Sequence, residues 1–233
     1  MEGTRRTVVV TGGTGGVGAG VTRAMVEAGH RVVVTWIVDR ERERAEERFG
    51  DGVELRRVNV ADAGDVDALA SELARAGEPW AVAHLVGGYH DGDPFDGLDL
   101  EAWDAQFRLN VDSLAVVLRA FLGGMAERGG GRVVAVSSRT ALRPFAGAAA
   151  YAASKAAVIA AVGAASEEVK ARGVCVNCIL PSVVDTPGNR AASPDADYSR
   201  WVRPEEIGAV VRFLCSPEAS AVTGAAIPVY GRV

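Results

Sequence analysis

Tyr151 and Lys155 stand four residues apart at the start of an alanine-rich run that reaches about Lys170. In a helix this spacing places both side chains on one face. At an effective dielectric constant of about 20, an ammonium roughly 5 Å from a phenol favours the phenolate by roughly 3 kcal/mol, which lowers the tyrosine pKa by about two units. The pair therefore predicts a tyrosine that exchanges a proton near neutral pH. From these two residues alone, a pair on a helix surface without chemistry stays open.

Two further patterns bring polar residues toward this pair. The strand pattern Arg132–Val136 ends in a serine pair that includes Ser138, and catalytic groups collect at the carboxyl ends of parallel strands. Asn110 lies among apolar residues in a helical stretch predicted for Asp99–Glu127, with an interruption expected near Asp104. A buried asparagine needs hydrogen-bond partners, so Asn110 is either a structural residue or part of a polar site.

The first strand pattern, Thr7–Val10, runs into the glycine-rich stretch Thr11–Gly18, and a helical pattern follows over Ala19–Ala28. Strand, glycine turn and helix is the context in which a dinucleotide pyrophosphate binds. Glycines allow close approach of the backbone, and the helix N-terminus offers free N–H groups to the phosphates. This stretch therefore predicts a dinucleotide site at the first turn.

The second strand pattern, Arg31–Val38, bears on the choice of cofactor. An acid at its end would bind the ribose 2′-hydroxyl of NAD, whereas a basic residue would favour the 2′-phosphate of NADP. Trp36 stands where the acid would be, and Arg40 and Arg42 follow as possible phosphate partners. The pattern therefore tilts toward NADP and leaves NAD open.

Strand and helix patterns alternate along the first 90 or so residues. Val53–Val58 is the third strand pattern, followed by Asn59–Asp62, which would lie beside an adenine, and Trp80–Val86 is the fourth. Two further strand patterns follow in the last third of the chain, at Val174–Leu180 and Ala226–Tyr230. This alternation predicts a single-domain α/β fold: a doubly wound, Rossmann-like parallel sheet of about seven strands with helices on both faces.

The composition agrees with one soluble domain of 233 residues, 48% of them hydrophobic and 24% charged. A net charge of −5 and a pI near 5.3 argue against a nucleic-acid surface. The longest apolar run, 156–165, is much shorter than a membrane span, and only a short apolar run follows Arg5 and Arg6, unlike a signal peptide. We expect a cytoplasmic protein without a nucleic-acid or membrane partner.

Cys175 and Cys178 have the spacing of half a zinc or redox site. Their context is a strand pattern, and residues three apart on a strand face opposite sides. We therefore expect core cysteines and no metal site. The polar stretch 187–201 has the composition of a mobile loop and is predicted to be a short substrate lid, after which Pro204–Cys215 is predicted to be helical.

Taken together, these motifs resemble the short-chain dehydrogenase/reductase family in its compact form. The resemblance covers nearly the whole chain and includes the first glycine turn, the asparagine of the long helix, a serine thirteen residues before the tyrosine, and Tyr-x-x-x-Lys. It implies that Tyr151 is the general acid/base, that Lys155 lowers its pKa and holds the nicotinamide ribose, and that Ser138 binds the substrate oxygen. It also implies that Asn110 supports a water in a proton relay.

The resemblance further implies a set of cofactor-contacting residues. They are Thr11, Gly12, Gly16, Val17, Gly18, Trp36, Arg40, Asn59, Val60, Gly87, Tyr151, Lys155, Pro181, Val184 and Thr186. Among these, Val184 and Thr186 would contact the carboxamide.

Three departures from the family pattern stand out. His84–Gly87 replaces Asn-Asn-Ala-Gly, so the usual backbone-steadying asparagines are missing; Asn59 replaces an aspartate, and Ser182 replaces a glycine. His84 invites interpretation as a base, but its place on the adenosine side favours a packing or ribose-contacting role.

The function expected from these features is hydride transfer between NADP or NAD and a carbonyl or secondary-alcohol substrate, in a homo-oligomer that is a dimer or tetramer. The altered segment at His84 keeps a second hypothesis open, a non-catalytic dinucleotide-binding sensor or scaffold. Epimerases and dehydratases of the longer relatives need a substrate domain that 233 residues cannot hold. The sequence does not identify the substrate.

Overall fold

A central parallel sheet organises the protein, whose structure is a computed structural model. Within the residues that it describes, 5–90, 92 and 94–233, seven parallel strands pair in the order β3-β2-β1-β4-β5-β6-β7. The strands are β1 (Thr7–Thr11), β2 (Arg31–Trp36), β3 (Glu54–Arg57), β4 (Ala81–His84), β5 (Gly131–Val136), β6 (Val174–Pro181) and β7 (Ala226–Val229). The predicted doubly wound, Rossmann-like α/β domain is confirmed.

Helices cover both faces of the sheet, which explains why the central strands are valine-rich and buried along their length. The helices are α1 (Gly16–Glu27), α2 (Asp39–Phe49), α3 (Ala63–Ala74), α4 (Leu100–Phe107), α5 (Ser113–Glu127), α6 (Ala149–Val169), α7 (Pro187–Ala192) and α8 (Pro204–Leu214). Residues of α3, α5 and α6 form one hydrophobic core against the sheet, and residues of α1 and α8 form the other. Strand order reverses between β1 and β4, where open α/β sheets bind ligands.

The long middle helix is interrupted, but not where the sequence suggested. Asp104 lies inside regular helix α4, so the interruption expected near it was wrong. A π-turn occupies Arg108–Asp112 instead, and the Ser113 N–H bonds to the Arg108 carbonyl, five residues back. The extra residue of such a turn shifts the following side chains around the helix, and π-turns often occur at functional sites.

The segment 187–201 is more structured than a polar loop. Its first part is helix α7, which starts with Pro187 and is capped by the Thr186 hydroxyl accepting from the Asn189 N–H at 3.2 Å. The Tyr198 hydroxyl donates to the Pro194 carbonyl at 2.8 Å and folds the second part back on the first. A capping threonine followed by proline explains the helix; its role as a substrate lid stays a prediction.

Two helical segments, Leu100–Glu127 and Ala149–Arg172, are long and apolar enough to cross a membrane by length and composition alone. Both contain core residues, such as Phe121 of α5 and Val158 of α6, that pack in the cluster against the sheet. Core helices of globular proteins are often as long and as apolar, so length and composition alone do not distinguish a core helix from a membrane-spanning one.

Candidate active site

The first glycine turn has the close contacts that a phosphate cradle requires. Gly12 has a φ of +67°, and a Cβ on Gly18 would lie 2.0 Å from the Gly12 carbonyl oxygen. Helix α1 begins at Gly16 with no side-chain cap and no acid in its first turn. Its N-terminus therefore offers free N–H groups and the positive end of its dipole to an anion, and these residues fit a dinucleotide pyrophosphate.

A cavity of about 430 Å³ extends from this turn across the ends of β1, β2 and β4. Of the predicted cofactor residues, the cavity is lined by Gly12, Gly16, Val17, Gly18, Trp36, Asn59, Val60 and Gly87. It is also lined by Thr14 and Gly15 of the predicted glycine turn and by Ala61 of the stretch predicted beside the adenine. The lining residues that sequence reasoning missed are Thr35, Ile37, Glu41, Val58, Leu85, Val86, Leu109 and Ser113. Its size is that of a cofactor site, and its position at the switch between β1 and β4 is the expected one.

Side chains of both positive and negative charge lie near the end of β2. The Arg42 guanidinium lies 5.9 Å from the centre of the Trp36 ring and pairs with Glu46. Neither Arg40, which is exposed, nor Arg42 lines the cavity, and of the two candidate arginines Arg42 is the one beside the Trp36 ring. Glu41 lines the cavity and accepts from the Ile37 N–H at 2.9 Å.

Ser138, Tyr151 and Lys155 are brought together where β5 meets α6. Tyr151 and Lys155 share a helix face, with Lys155 Nζ 5.9 Å from the centre of the Tyr151 ring. Ser138 follows β5, is buried, and is a side-chain hydrogen-bond partner of Tyr151. The Ser137 hydroxyl donates to the Lys155 carbonyl at 2.7 Å and so joins the strand end to the helix. The predicted convergence of the three side chains is present.

The expected pKa shift of Tyr151 is not what this structure gives. Burial raises the pKa of Tyr151 above its usual 10.0, and only the hydrogen bond with Ser138 opposes the rise. Lys155 does not offset this, because its ammonium is turned to the Val136 carbonyl, to which Nζ donates at 3.0 Å. Burial also lowers the pKa of Lys155 to about 8. The Coulomb argument was wrong for this state because it omitted desolvation, which disfavours both charged forms.

Gly87 is the junction between the cavity and the polar cluster. A Cβ on this residue would lie 2.7 Å from Lys155 Nζ and 2.8 Å from Asn110 Oδ1, so both groups reach the same point of the backbone. Asn110 Oδ1 accepts from the Gly88 N–H at 3.0 Å, and its amide donates to Ser154 Oγ at 3.0 Å. Asn110 therefore connects the end of β4 to α6. It is both a structural hydrogen-bonding residue and part of the polar site, the two alternatives that the sequence left open.

His84 is buried between two hydroxyl groups. Its Nδ1 lies 2.9 Å from Thr11 Oγ1, and its Nε2 lies 3.2 Å from Ser113 Oγ. The Ser113 hydroxyl already donates to the Leu109 carbonyl at 2.6 Å, so Nε2 carries the proton and Nδ1 accepts from Thr11. Burial, reinforced by the Lys155 charge, lowers the pKa of His84 to about 3. His84 is thus a neutral link, and the predicted packing role fits its contacts, whereas a base role does not.

The same contacts explain the position of Thr11. Its hydroxyl is turned inward to His84, and Thr11 does not line the cavity. Its only polar side-chain atom therefore supports the turn from behind, and the direct cofactor contact of Thr11 stays a prediction. The signal that could have revealed this was the departure of His84 from the family pattern.

The cofactor-contacting residues predicted on the β6 side lie at the end of this strand and just beyond it. Pro181 is the last residue of the strand, Val184 is buried, and its carbonyl accepts from the Asn189 side chain at 2.7 Å. The Thr186 methyl lies against the glycine turn, 2.4 Å from where a Cβ on Gly16 would be. None of the three lines the cavity, but Thr186 packs against Gly16, which does line it.

The cysteines belong to the core. Cys175 and Cys178 are buried in β6, and burial raises the pKa of Cys178 to about 12, which suppresses its thiolate. Within the part of the chain that the structure describes, no group of three or more His, Cys, Asp or Glu side chains is placed to hold a metal ion.

The fold agrees with what comparisons with known proteins find. A family model described as enoyl-(acyl carrier protein) reductase matches residues 12–231. An acetoacetyl-CoA reductase from Synechocystis sp. is 32% identical over 97% of this chain and 95% of its own length. A galactitol 2-dehydrogenase from Rhizobium johnstonii is 33% identical over 95% of this chain and 92% of its own length.

Solved structures are similar over the same extent. A short-chain type dehydrogenase/reductase from Mycobacterium ulcerans has a TM-score of 0.90 and 30% identity, covering 97% of this chain and 88% of that one. An actinorhodin polyketide ketoreductase solved with NADPH has a TM-score of 0.87 and 28% identity, covering 97% of this chain and 96% of that one. The chain belongs to the short-chain dehydrogenase/reductase family of oxidoreductases.

Proposed function

We propose that the protein transfers a hydride between NADP(H) and a carbonyl or secondary-alcohol substrate, with Tyr151 as general acid/base. The observation that carries this proposal is the meeting of Lys155 Nζ and Asn110 Oδ1 at Gly87, on the rim of the dinucleotide-sized cavity. That meeting places the Tyr151 face of α6 beside the cavity. Ser138 stands at the same edge. The alternative of a non-catalytic sensor leaves this cluster unexplained.

Each side chain has a defined task in carbonyl reduction. The bound dinucleotide supplies the hydride. Because burial raises its pKa, Tyr151 is protonated at neutral pH and can donate to the substrate oxygen as negative charge develops there. The Ser138 hydroxyl is a second donor for that oxygen. With a pKa of about 8, Lys155 is mostly charged at pH 7 and stabilises the phenolate that proton donation leaves.

Asn110 and the glycine turn complete the assignment. Asn110 holds the backbone at Gly88 and the α6 residue Ser154, and we propose that it supports a water that returns a proton to Tyr151. Gly12, Gly16 and Gly18 would hold the pyrophosphate, and Pro181, Val184 and Thr186 would border the nicotinamide from the β6 side. The segment 187–201 would be the substrate lid.

The proposed cofactor preference is for NADP over NAD. Arg42 beside Trp36 can meet a 2′-phosphate, and the actinorhodin polyketide ketoreductase was solved with NADPH. Glu41 favours NAD, because a carboxylate at this strand end can accept from a ribose hydroxyl. Fluorescence titrations with NADPH and NADH test this balance. We expect Arg42→Ala to weaken NADPH binding by roughly twofold to fivefold, the scale of one surface charge pair, and Arg40→Ala to leave it unchanged.

The substrate subtype, carbonyl reductase or alcohol dehydrogenase, is part of this proposal. The relatives named above act on acetoacetyl-CoA and on galactitol. A panel of ketones, a β-ketoacyl thioester and polyols, assayed with NADPH or NADP⁺, discriminates the two directions. Oxidation or reduction of any one of them supports hydride transfer, and tight dinucleotide binding without turnover of the whole panel favours the sensor.

We also propose a cytoplasmic homo-oligomer, a dimer or tetramer. The oligomer is supported by the most apolar 18-residue windows of Leu100–Glu127 and Ala149–Arg172, which are 44% and 33% buried in the single chain and so leave apolar helix surface for a second copy. Light scattering after size-exclusion chromatography checks this. A monomer at micromolar concentration would contradict it.

A further inference from the structure

Tyr89 and Phe145 place two aromatic rings beside the Tyr151 phenol. The Tyr89 ring lies 5.0 Å from the Tyr151 ring, edge-on at 77°, and 6.3 Å from the Phe145 ring at 54°. Tyr89 is 49% exposed and Phe145 is 54% exposed. Large apolar rings are usually covered, so this aromatic pair leaves uncovered ring surface next to the candidate acid.

The backbone on both sides of Tyr89 is anchored by a buried glutamine. The Gln106 amide donates to the Gly88 carbonyl at 2.7 Å, and its oxygen accepts from the His90 N–H at 3.1 Å. The Gly88 N–H in turn donates to Asn110 Oδ1 at 3.0 Å. Gln106 is only 4% exposed, so these bonds are shielded from water. The position of Tyr89 is therefore set by α4 and the π-turn.

The segment that carries Phe145 is tied to the segment that carries Tyr89. The Gly92 N–H donates to the Gly147 carbonyl at 3.0 Å. Gly147 has a φ of +81°, and a Cβ there would lie 3.0 Å from the Gly92 carbonyl oxygen, so this crossing favours glycine. Backbone ties on both sides mean that little order has to be created when a ligand meets the aromatic pair.

We propose that the Tyr89–Phe145 pair selects ketones that carry a planar aromatic ring next to the carbonyl. This inference rests on the proposed hydride transfer. Aromatic rings in edge-on or offset contact attract one another beyond what their buried area provides, so a ring seated here gains more than a saturated group of equal size. In the reaction, the carbonyl carbon takes a hydride from NADPH and the oxygen takes the proton of Tyr151. The products are a secondary alcohol and NADP⁺.

Acetophenone and cyclohexyl methyl ketone provide the test, because they match in size but differ in the planarity of the ring. The quantity measured is the ratio of their kcat/KM values in each variant divided by the ratio in the wild type, which cancels their different intrinsic reactivity. We expect Tyr89→Leu to lower the preference for acetophenone by roughly threefold to tenfold. Tyr89→Phe keeps the ring and should leave the preference unchanged.

A matched control is Phe95→Leu, which also removes an exposed aromatic ring. Phe95 is 72% exposed and pairs with Trp103 rather than with Tyr151. The preference should be the same in Phe95→Leu as in the wild type.

Three outcomes overturn the inference. An unchanged ratio in Tyr89→Leu, with both ketones still reduced, removes the aromatic selection and leaves hydride transfer standing. An equal fall in Phe95→Leu assigns the effect to general destabilisation. Absence of turnover of either ketone by the wild type, together with absence of turnover of the wider panel, removes the proposed function and this inference with it.

Discussion

The ends of β5 and β4 lie side by side and treat their polar groups in opposite ways. At the end of β5, Tyr151 is partly buried and Lys155 is buried, and the pKa values of both are shifted against their charged forms. The Lys155 ammonium has a single carbonyl partner in the described structure. At the end of β4, His84 is also buried, but both ring nitrogens are bonded to hydroxyl groups. The first edge holds reactive groups at a cost in stability, and the second holds a satisfied link that stabilises the fold.

This contrast explains which family residues the chain keeps and which it replaces. Proton donation needs a phenol and a nearby ammonium, and the β5 edge retains both. Support needs only donors and acceptors at suitable positions. At the β4 edge, His84, Ser113 and Gln106 hold the backbone where the family pattern has asparagines. The predictions below test this division between chemistry and support.

The largest effect is expected from Tyr151→Phe. Removing the general acid should lower kcat by at least about a hundredfold, the usual scale for such a loss. The ring and its edge-on contact with Tyr89 remain, so NADPH affinity and melting temperature should change little. Steady-state kinetics and a fluorescence titration measure these quantities. Turnover within a few fold of the wild type would refute the assignment of Tyr151.

Lys155→Met should separate activity from stability. We expect kcat to fall by about tenfold to a hundredfold, or about 1.4 to 2.7 kcal/mol, because the positive charge that stabilises the phenolate after proton donation is lost. The folded pKa of about 8 lies below the unfolded value of 10.5, so the buried ammonium destabilises the fold at pH 7. The shift corresponds to about 3 kcal/mol, and that penalty is present below pH 8 and disappears above pH 10.5.

The thermal unfolding of Lys155→Met therefore provides its own check. The variant should melt above the wild type at pH 7 while it loses activity. A lower melting temperature would show that the contacts of Lys155 stabilise the fold, which contradicts the contrast between the two edges.

His84→Leu should have the opposite effect on stability and make the protein less stable than the wild type. It leaves the hydroxyl groups of Thr11 and Ser113 without their buried partner, so we expect a loss of about 2 to 4 kcal/mol in the free energy of unfolding. His84→Asn is the matched control, since an amide can both donate and accept, and it should lose less. Chemical denaturation measures both variants. Equal stability of His84→Leu and the wild type would show that the link contributes nothing.

The smallest expected effect is the pH dependence that His84 adds to stability. Its folded pKa of about 3 lies below the unfolded value of 6.5. Above pH 6.5, His84 is neutral in both the folded and the unfolded state, and the free energy of unfolding is at its maximum with respect to this residue. Between pH 6.5 and pH 3, His84 is protonated in the unfolded state but not in the folded state, so the free energy of unfolding falls as the pH falls. Between pH 6.5 and 5 the wild type should lose up to about 1.4 kcal/mol per pH unit more than His84→Asn. Parallel profiles would contradict a neutral His84.

Sequence reasoning reached the fold and the reactive residues because their signals are local. Valine-rich strands, the glycine turn and the Tyr-x-x-x-Lys spacing each depend on neighbouring residues. The helix interruption was predicted at the wrong residue, because the π-turn at Arg108–Asp112 depends on backbone hydrogen bonds that the residue types do not predict. Sequence reasoning also missed the partners of His84 and the rise in the Tyr151 pKa, because both arise from contacts between distant segments.

Transfer of deuterium from NADPH labelled at the nicotinamide C4 position tests the central claim most directly. The account predicts that, with the correct C4 face labelled, the wild type forms a secondary alcohol carrying one deuterium on the former carbonyl carbon, seen by mass spectrometry. The same reaction with Tyr151→Phe should give little labelled alcohol although the dinucleotide still binds. Binding of NADPH without label transfer to any carbonyl compound of the panel, from either labelled face, would contradict the account.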